Sequence, residues 1–362
     1  MKKTIKEYDF LRAVAVLLVI LGHCTYYRII TDYGGIDSGI NEKQTLTGII
    51  LGFITHTLYS FHMPLFIALS GCLWAVRIRD KGVQSFRSLV KNKRRRLLVP
   101  FLLTALFWSI PLKYLSGYWH GSFIEIIRQI FLGQILMFGN FNSHLWFLQS
   151  LFFIFILAYI IEKSNLRQCP VQFMSSLLVL SMIARFLESR HICFLNIQSA
   201  FIYLLWFYIG FYFEHIRERA NKLVDKHIGW WIIGVFIILY PFFVFLANKL
   251  PHGIGFGYIT YYPKAVLGMA ITYILCYKLN RITPPELLNI IKKLSGHSYG
   301  LYLYSDPVNY FIIYLISYYS LSDLFAFDSF TLSIYIGRFL ITIITAIIVM
   351  KILNIRKIVH RV

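Results

Sequence analysis

Long unbroken apolar runs recur along this chain and constrain its fold more than any single motif does. At about 1.5 Å per residue, ~20 apolar residues cover the ~30 Å hydrocarbon core of a bilayer. The runs lie at 10–30, 49–76, 97–115, 144–162, 171–187, 198–214, 229–247, 259–279, 298–319 and 330–352. In lipid the backbone must satisfy its own hydrogen bonds, which leaves helices or a closed barrel. A barrel would show short alternating segments, and these runs do not alternate. The expected fold is therefore all-α: a polytopic transmembrane bundle of about ten spans. No linker, low-complexity tract or internal repeat stands out, so residues 1–362 read as one integral membrane domain.

A net charge of +20 on a chain that is 58% hydrophobic raises the question of a nucleic-acid partner. Its distribution answers it. Most of the 36 Lys and Arg fall in alternate connecting segments: Lys2 to Lys6, 77–96, 163–167, 217–226, 278–293 and the stretch after 350. Segment 320–329 has no Lys or Arg, only Asp323 and Asp328. This is a positive-inside pattern with both termini cytoplasmic, in contact with membrane lipid and not with nucleic acid. The start MKKTIKEYDF has the basic flank of a signal sequence, but the apolar run after it is long for one, and it reads as a retained first span. The five Cys show no paired or metal-type spacing, so neither a metal site nor a disulfide framework is expected. Residues 122–139 carry Glu125 and Arg128 and read as an interfacial or re-entrant helix. Pro64 predicts a kink in the second span, or an interfacial segment before it.

Ionisable residues within the apolar runs are the candidates for chemistry, because burying them in a membrane is expensive. Arg12 and His23 are eleven residues apart in the first run, so a helix places them on about the same side, ~16 Å apart along its axis. A neutral imidazole is a competent general base, and the arginine fork suits phosphate. Lys93, Arg94, Arg95 and Arg96 sit directly before the third run; they suit a phosphorylated donor, although a topology-setting loop explains much of that charge. His62 reads as a core histidine, and Ser70 and Gly71 permit close helix packing. His144 belongs on the same side of the membrane as His23, where it suits an acceptor; Trp146 fits an aromatic belt. Asp306 within an apolar run needs a partner, with Arg12 or an arginine of another span as candidates.

Taken together, these motifs resemble the integral membrane acyltransferase 3 family over Tyr8 to about Asn354. The resemblance rests on Arg12 and His23 with ten residues between them, on Phe61, Pro64, Leu65, Phe66, Ser70 and Gly71, and on the basic stretch Lys93 to Pro100. It continues through the HLWFL segment at His144 and Ser298, Tyr302 and Leu303. Lys93 stands where the family pattern has an arginine, and Ser305 where many members have a histidine. The resemblance implies transfer of an acyl group, usually acetyl, from cytoplasmic acetyl-CoA to a sugar hydroxyl of a surface or lipid-linked glycan. It implies CoA-phosphate contacts from Arg12 and the Lys93–Arg96 cluster, and His23 as base or acyl carrier. His62, His144, Trp146, Ser298, Tyr302 and Asp306 would bind the acceptor or support the site. Acyl-CoA would be a co-substrate, with no bound cofactor.

A polar-solute or glycan transporter is the alternative, since kinked spans with polar residues suit transport as well. A glycan polymerase would need arginine-rich outer loops, and Lys and Arg are sparse there. With no glycosylated loop domain, a bacterial inner membrane is the expected location. The charge pattern predicts that reporters fused within 82–85 are cytoplasmic and those fused within 117–121 are external, as paired phosphatase and fluorescent-protein fusions would measure.

Overall fold

The computed structural model describes residues 6–40, 45–225, 228–249 and 256–353. It is helical, with one small sheet among the described residues. Helix α1 spans Lys6–His23. Strands β1, Arg28–Thr31, and β2, Gly34–Asp37, form an antiparallel hairpin with Arg28 opposite Asp37. Helix α2 spans Leu46–Lys81, α3 Phe86–Leu115 and the short α4 Phe123–Gln129. Next come α5, Trp146–Lys163, α6, Pro170–Ser189, and α7, Ile197–Asp225. The chain closes with α8, Ile228–Lys249, α9, Phe256–Ile282, α10, Pro285–Tyr318, and α11, Asp328–Ile352.

All helices but α4 coincide with the apolar runs of the sequence. Among the described residues six segments are long and apolar enough to cross a membrane: α2, α3, α5, α6, Gly229–Leu246 within α8, and α11. Helices α1, α7, α9 and α10 do not meet that measure, and α1 and α10 carry the polar groups of the central site. Apolar side chains such as Phe107 (74% exposed) and Ile238 (72% exposed) project outward, as lipid-facing residues do in a helical membrane bundle. The outermost sequence expectations, those on residues 1–5 and 354–362 at the two termini, lie outside the described residues.

The first run is shorter as a helix than its hydropathy suggests. Helix α1 stops at His23, and the Thr25 hydroxyl donates to the Gly22 carbonyl at 2.7 Å. The aromatic and β-branched residues that follow, Tyr26 to Ile30, suit an extended chain and lead into the hairpin. The turn is completed by Gly34 at φ 119°, a conformation open to glycine. The Gly35 N–H donates to the Tyr118 carbonyl at 2.8 Å, fastening the hairpin to the segment after α3.

Two proline effects shape the bundle. Helix α2 carries Pro64 in its interior. In α3 the turns Arg94–Leu98 and Ala105–Ser109 widen to π geometry just before Pro100 and Pro111, where the i→i−4 donor is missing. Pro100 cannot serve the Arg96 carbonyl, and the Tyr299 hydroxyl donates to it at 2.6 Å from α10. As expected for 122–139, α4 is a short helix, opened by a Ser122–Glu125 capping box and prolonged by a π turn over Ile130–Ile135.

The closest approach is between α2 and α7. A Cβ on Gly71 would lie 1.8 Å from the Phe207 carbonyl oxygen, and one on Gly210 would lie 1.8 Å from that of Ala68. The Cys72 thiol donates to the Gly210 carbonyl at 3.1 Å. Small residues here let two backbones touch, which is how helices associate where apolar burial offers no advantage over lipid. Gly71→Ala and Gly210→Ala are each expected to destabilise the bundle by about 1–3 kcal/mol or more. Gly337→Ala, where a Cβ meets nothing within 4 Å, should not. Thermal midpoints of the detergent-purified protein would check this.

Candidate active site

Helices α1 and α10 run parallel, and their paired residues define two ends of a site. Near the start of α1, Asp9 accepts a hydrogen bond from the Ser295 hydroxyl at 3.3 Å and lies 3.8 Å from Arg12. At its other end, His23 meets Asp306. Both pairs run in the same order along the two helices; the fourteen residues from Asp9 to His23 and the eleven from Ser295 to Asp306 differ by about one turn, which the side chains span.

At the second end, His23 Nδ1 donates to Asp306 Oδ1 at 2.6 Å. The Tyr26 hydroxyl donates to the same oxygen, also at 2.6 Å. His144 Nδ1 lies 3.4 Å from Asp306 Oδ2, at ion-pair distance, while its Nε2 donates to the Leu303 carbonyl at 3.0 Å. The Tyr302 hydroxyl donates to the His144 carbonyl, fixing the segment just before α5 to α10. The Asp306 side chain is 4% exposed and that of His23 17%, so the carboxylate is sealed behind the imidazole. The partner of Asp306 is thus a pair of histidines and a tyrosine, not the arginine that the sequence suggested. The reason is axial position: Arg12 is about three turns away along α1.

His23, Tyr26, His144 and Asp306 line a cavity of ≈ 750 Å³. Its wall includes Tyr59, Trp146 and Thr55, with Asn140 and Asn142 from the segment before α5 and Arg28 to Thr31 from the hairpin. The Tyr59 ring stacks on His23 at 6.0 Å and 15°. With Nδ1 committed to Asp306, Nε2 of His23 has no hydrogen-bond partner among the described residues. A carboxylate on one ring nitrogen fixes the tautomer and leaves the other nitrogen free to take a proton. Aromatic faces and amide groups around it suit a polar ligand with an apolar side.

Other candidates from the sequence take different places. His62 is buried, donates to the Leu58 carbonyl at 2.6 Å and packs edge-on against Tyr59 of the cavity wall, ring centroids 4.9 Å apart. Ser298 is buried and donates to the Ser295 carbonyl. Lys93 packs over the Phe155 ring at 3.1 Å, whereas Arg94, Arg95 and Arg96 are exposed. The Ser295 and Tyr299 contacts put Arg12 and Arg96 near successive turns of α10, at the end remote from the cavity. Three groups around the dyad went unread in the sequence. Tyr26 lies past the end of α1, where no helical period could place it. Lys113 is fully buried, donating to Gln134 Oε1 at 3.1 Å and the Asn142 carbonyl at 2.6 Å. Arg338 is buried in α11; as cations within apolar runs, it and Lys113 carried a legible signal.

The Acyltransferase domain profile matches residues 5–353, nearly the whole chain. The chain belongs to the acyltransferase 3 family: it is a multi-pass membrane acyltransferase. A "Probable poly-beta-1,6-N-acetyl-D-glucosamine export protein" of Staphylococcus aureus is 22% identical over 321 residues, 84% of this chain and 82% of that one. The "Nodulation protein NolL" of Mesorhizobium japonicum is 28% identical over 166 residues, 44% of this chain and 36% of its own. That of Sinorhizobium fredii is 26% identical over 221 residues, 60% and 51% respectively. No solved structure matches the chain.

Asp306→Asn keeps the shape of the carboxylate and removes its charge. Acyl transfer per folded protein is expected to fall about 10²-fold or more. Tyr26→Phe, which leaves the His23 contact in place, should lose only about tenfold. Radiolabel transfer assays on purified variants would measure both.

Proposed function

We propose that this protein moves an acyl group, usually acetyl, from cytoplasmic acyl-CoA to a hydroxyl of a surface or lipid-linked glycan. The observation that carries the reading is the His23–Asp306 pair, which faces a cavity at the end of α1 opposite Arg12. In this reading His23 Nε2 takes the proton of the acceptor hydroxyl as its oxygen attacks the thioester carbonyl. The carbon–sulfur bond then breaks, the ester remains on the acceptor, and the leaving CoA sulfur takes the proton from Nε2. Asp306 holds the imidazole in the required tautomer and offsets the positive charge it acquires.

Arg12 with Lys93, Arg94, Arg95 and Arg96 would hold the CoA phosphates, the arginine forks gripping phosphate oxygens. A separation of ~16 Å along α1 leaves room for the extended arm of acetyl-CoA to bring its thioester to His23. His144 and Trp146 would position the acceptor, while His62, Ser298 and Tyr302 support the helices around it. Glycan as acceptor accords with the polysaccharide in the name of the staphylococcal relative. In the same reading the chain is one membrane domain of ten spans in a bacterial inner membrane, with both termini cytoplasmic. That relative's printed name also favours a second reading, export of a glycan, which predicts flux without any need for acyl-CoA.

Inverted vesicles carrying wild-type or His23→Ala protein, with the host's surface glycans, would receive labelled acetyl-CoA from outside. Label on the glycan with wild type, reduced about 10²–10⁴-fold by the substitution, is the expected result. Full labelling with His23→Ala would remove His23 from the chemistry. No label with wild type, given normal insertion and glycan supply, would favour export or another donor.

A further inference from the structure

Helix α1 ends at the reactive histidine, so the last carbonyls of the helix point into the protein with no intrahelical donor. Arg338 of α11 supplies donors to this region. It is 1% exposed. Its Nη1 donates to the Tyr26 carbonyl at 2.9 Å and its Nη2 to the His23 carbonyl at 3.4 Å. Its Nε donates to Asn309 Oδ1 at 3.0 Å. Asn309 stands three positions after Asp306 on α10, about one turn along the same side of that helix. One guanidinium therefore ties the backbone of His23 and of Tyr26 to the helix that carries Asp306.

We propose that Arg338 is a positioning residue for the dyad: by joining the end of α1 to Asn309, it holds His23 Nδ1 and the Tyr26 hydroxyl on Asp306 and so keeps Nε2 aimed into the cavity. The inference rests on the His23–Asp306 reading given above. The three hydrogen bonds Arg338 makes among the described residues go to neutral oxygens, and no carboxylate among them pairs with it. Its charge sits at the negative end of the α1 dipole, where a cation is favoured. The Tyr27 ring lies 4.8 Å from the guanidinium carbon and packs against its face. The planar fork is what the geometry uses. A lysine would keep the charge but present a single nitrogen, unable to reach three acceptors set around a plane. Next to Arg338, Thr342 lies 4.0 Å from the Cys24 sulfur, so α11 lies along the end of α1 over more than one residue. The dyad's position is consequently set from three helices, not two.

The test is a double-mutant cycle between Arg338 and Asp306, with kcat and KM measured per folded, inserted protein. Arg338→Met is expected to lower kcat by about 10–100-fold, as a misplaced catalytic group does, with acceptor KM nearly unchanged. Arg338→Lys should recover little of that loss. In an Asp306→Asn background, where there is no carboxylate to align with, Arg338→Met should cost less than about threefold. The same fold-loss in both backgrounds would overturn the proposal and reduce Arg338 to a general support of the bundle. So would a lowered thermal midpoint with unchanged kcat. Asn309→Ala, which removes one of the three contacts and leaves the cation capped by two carbonyls, repeats the cycle should Arg338→Met fail to fold. An Asp306→Asn protein of full activity would instead sink the dyad reading itself, a result distinguishable from failure of the Arg338 inference alone.

Discussion

The Asp306 carboxylate is a negative charge taken out of water inside an apolar bundle. Even after relaxation, such a transfer costs several kcal/mol unless geometry and hydrogen bonds offset it. Here His23 and Tyr26 each reach one carboxylate oxygen at 2.6 Å, and His144 faces the other at 3.4 Å. Satisfying that one oxygen pair recruits the end of α1, the residues past it and the segment leading into α5. The Tyr302 bond to the His144 carbonyl and the Arg338 bonds to the His23 and Tyr26 carbonyls hold the same groups from their backbones. The requirement of a buried charge for partners is thus what draws the cavity wall together.

That arrangement needs helices whose relative positions do not drift. The contact of Gly71 and Gly210 with facing carbonyls locks α2 to α7 at backbone distance, and α2 supplies Tyr59 to the wall of the site. The π turns before Pro100 and Pro111 let α3 continue as a single helix despite two missing donors. It can then lie along α10, where the Trp108 indole donates to the Tyr304 carbonyl at 3.0 Å and Tyr299 serves Arg96. Polar groups of α10 therefore connect the basic end of the bundle to the cavity end through one rigid element. Acyl transfer depends on such placement, because holding the reacting groups in the right geometry removes much of the barrier.

The helical architecture was legible in the chain because lipid leaves few solutions. Apolar runs of spanning length must be helices, and they were found close to where the hydropathy put them. The shorter first helix has a local cause: Ile29 and Ile30 are apolar and Tyr26 and Tyr27 carry large apolar rings, so the apolar run continues past the change from helix to strand after His23. The candidacy of His23, His144 and Asp306 was also legible, since each is a polar group in or beside an apolar run. Their mutual contact was not, because the partners are separated by 283 residues for His23 and Asp306, and no local pattern encodes that pairing. For the same reason charge alone points Asp306 toward Arg12 or another span's arginine, whereas contact in the fold gives it His23, Tyr26 and His144.

By itself the sequence determined that this is a helical membrane chain, which residues are chemically able to act, and the motif order that marks an acyltransferase. Those properties follow from composition, period and spacing along one strand of polymer. Tertiary structure alone decided which nitrogen of His23 is tied and which is free, that Tyr26, Lys113 and Arg338 belong to the surroundings of the site, and that Arg96 lies with Arg12 at the end of α10 remote from the cavity. These depend on how parallel helices are set in register and on where orphan carbonyls and buried charges find donors. Such matches are made in three dimensions, between groups that the chain brings together only after it has folded.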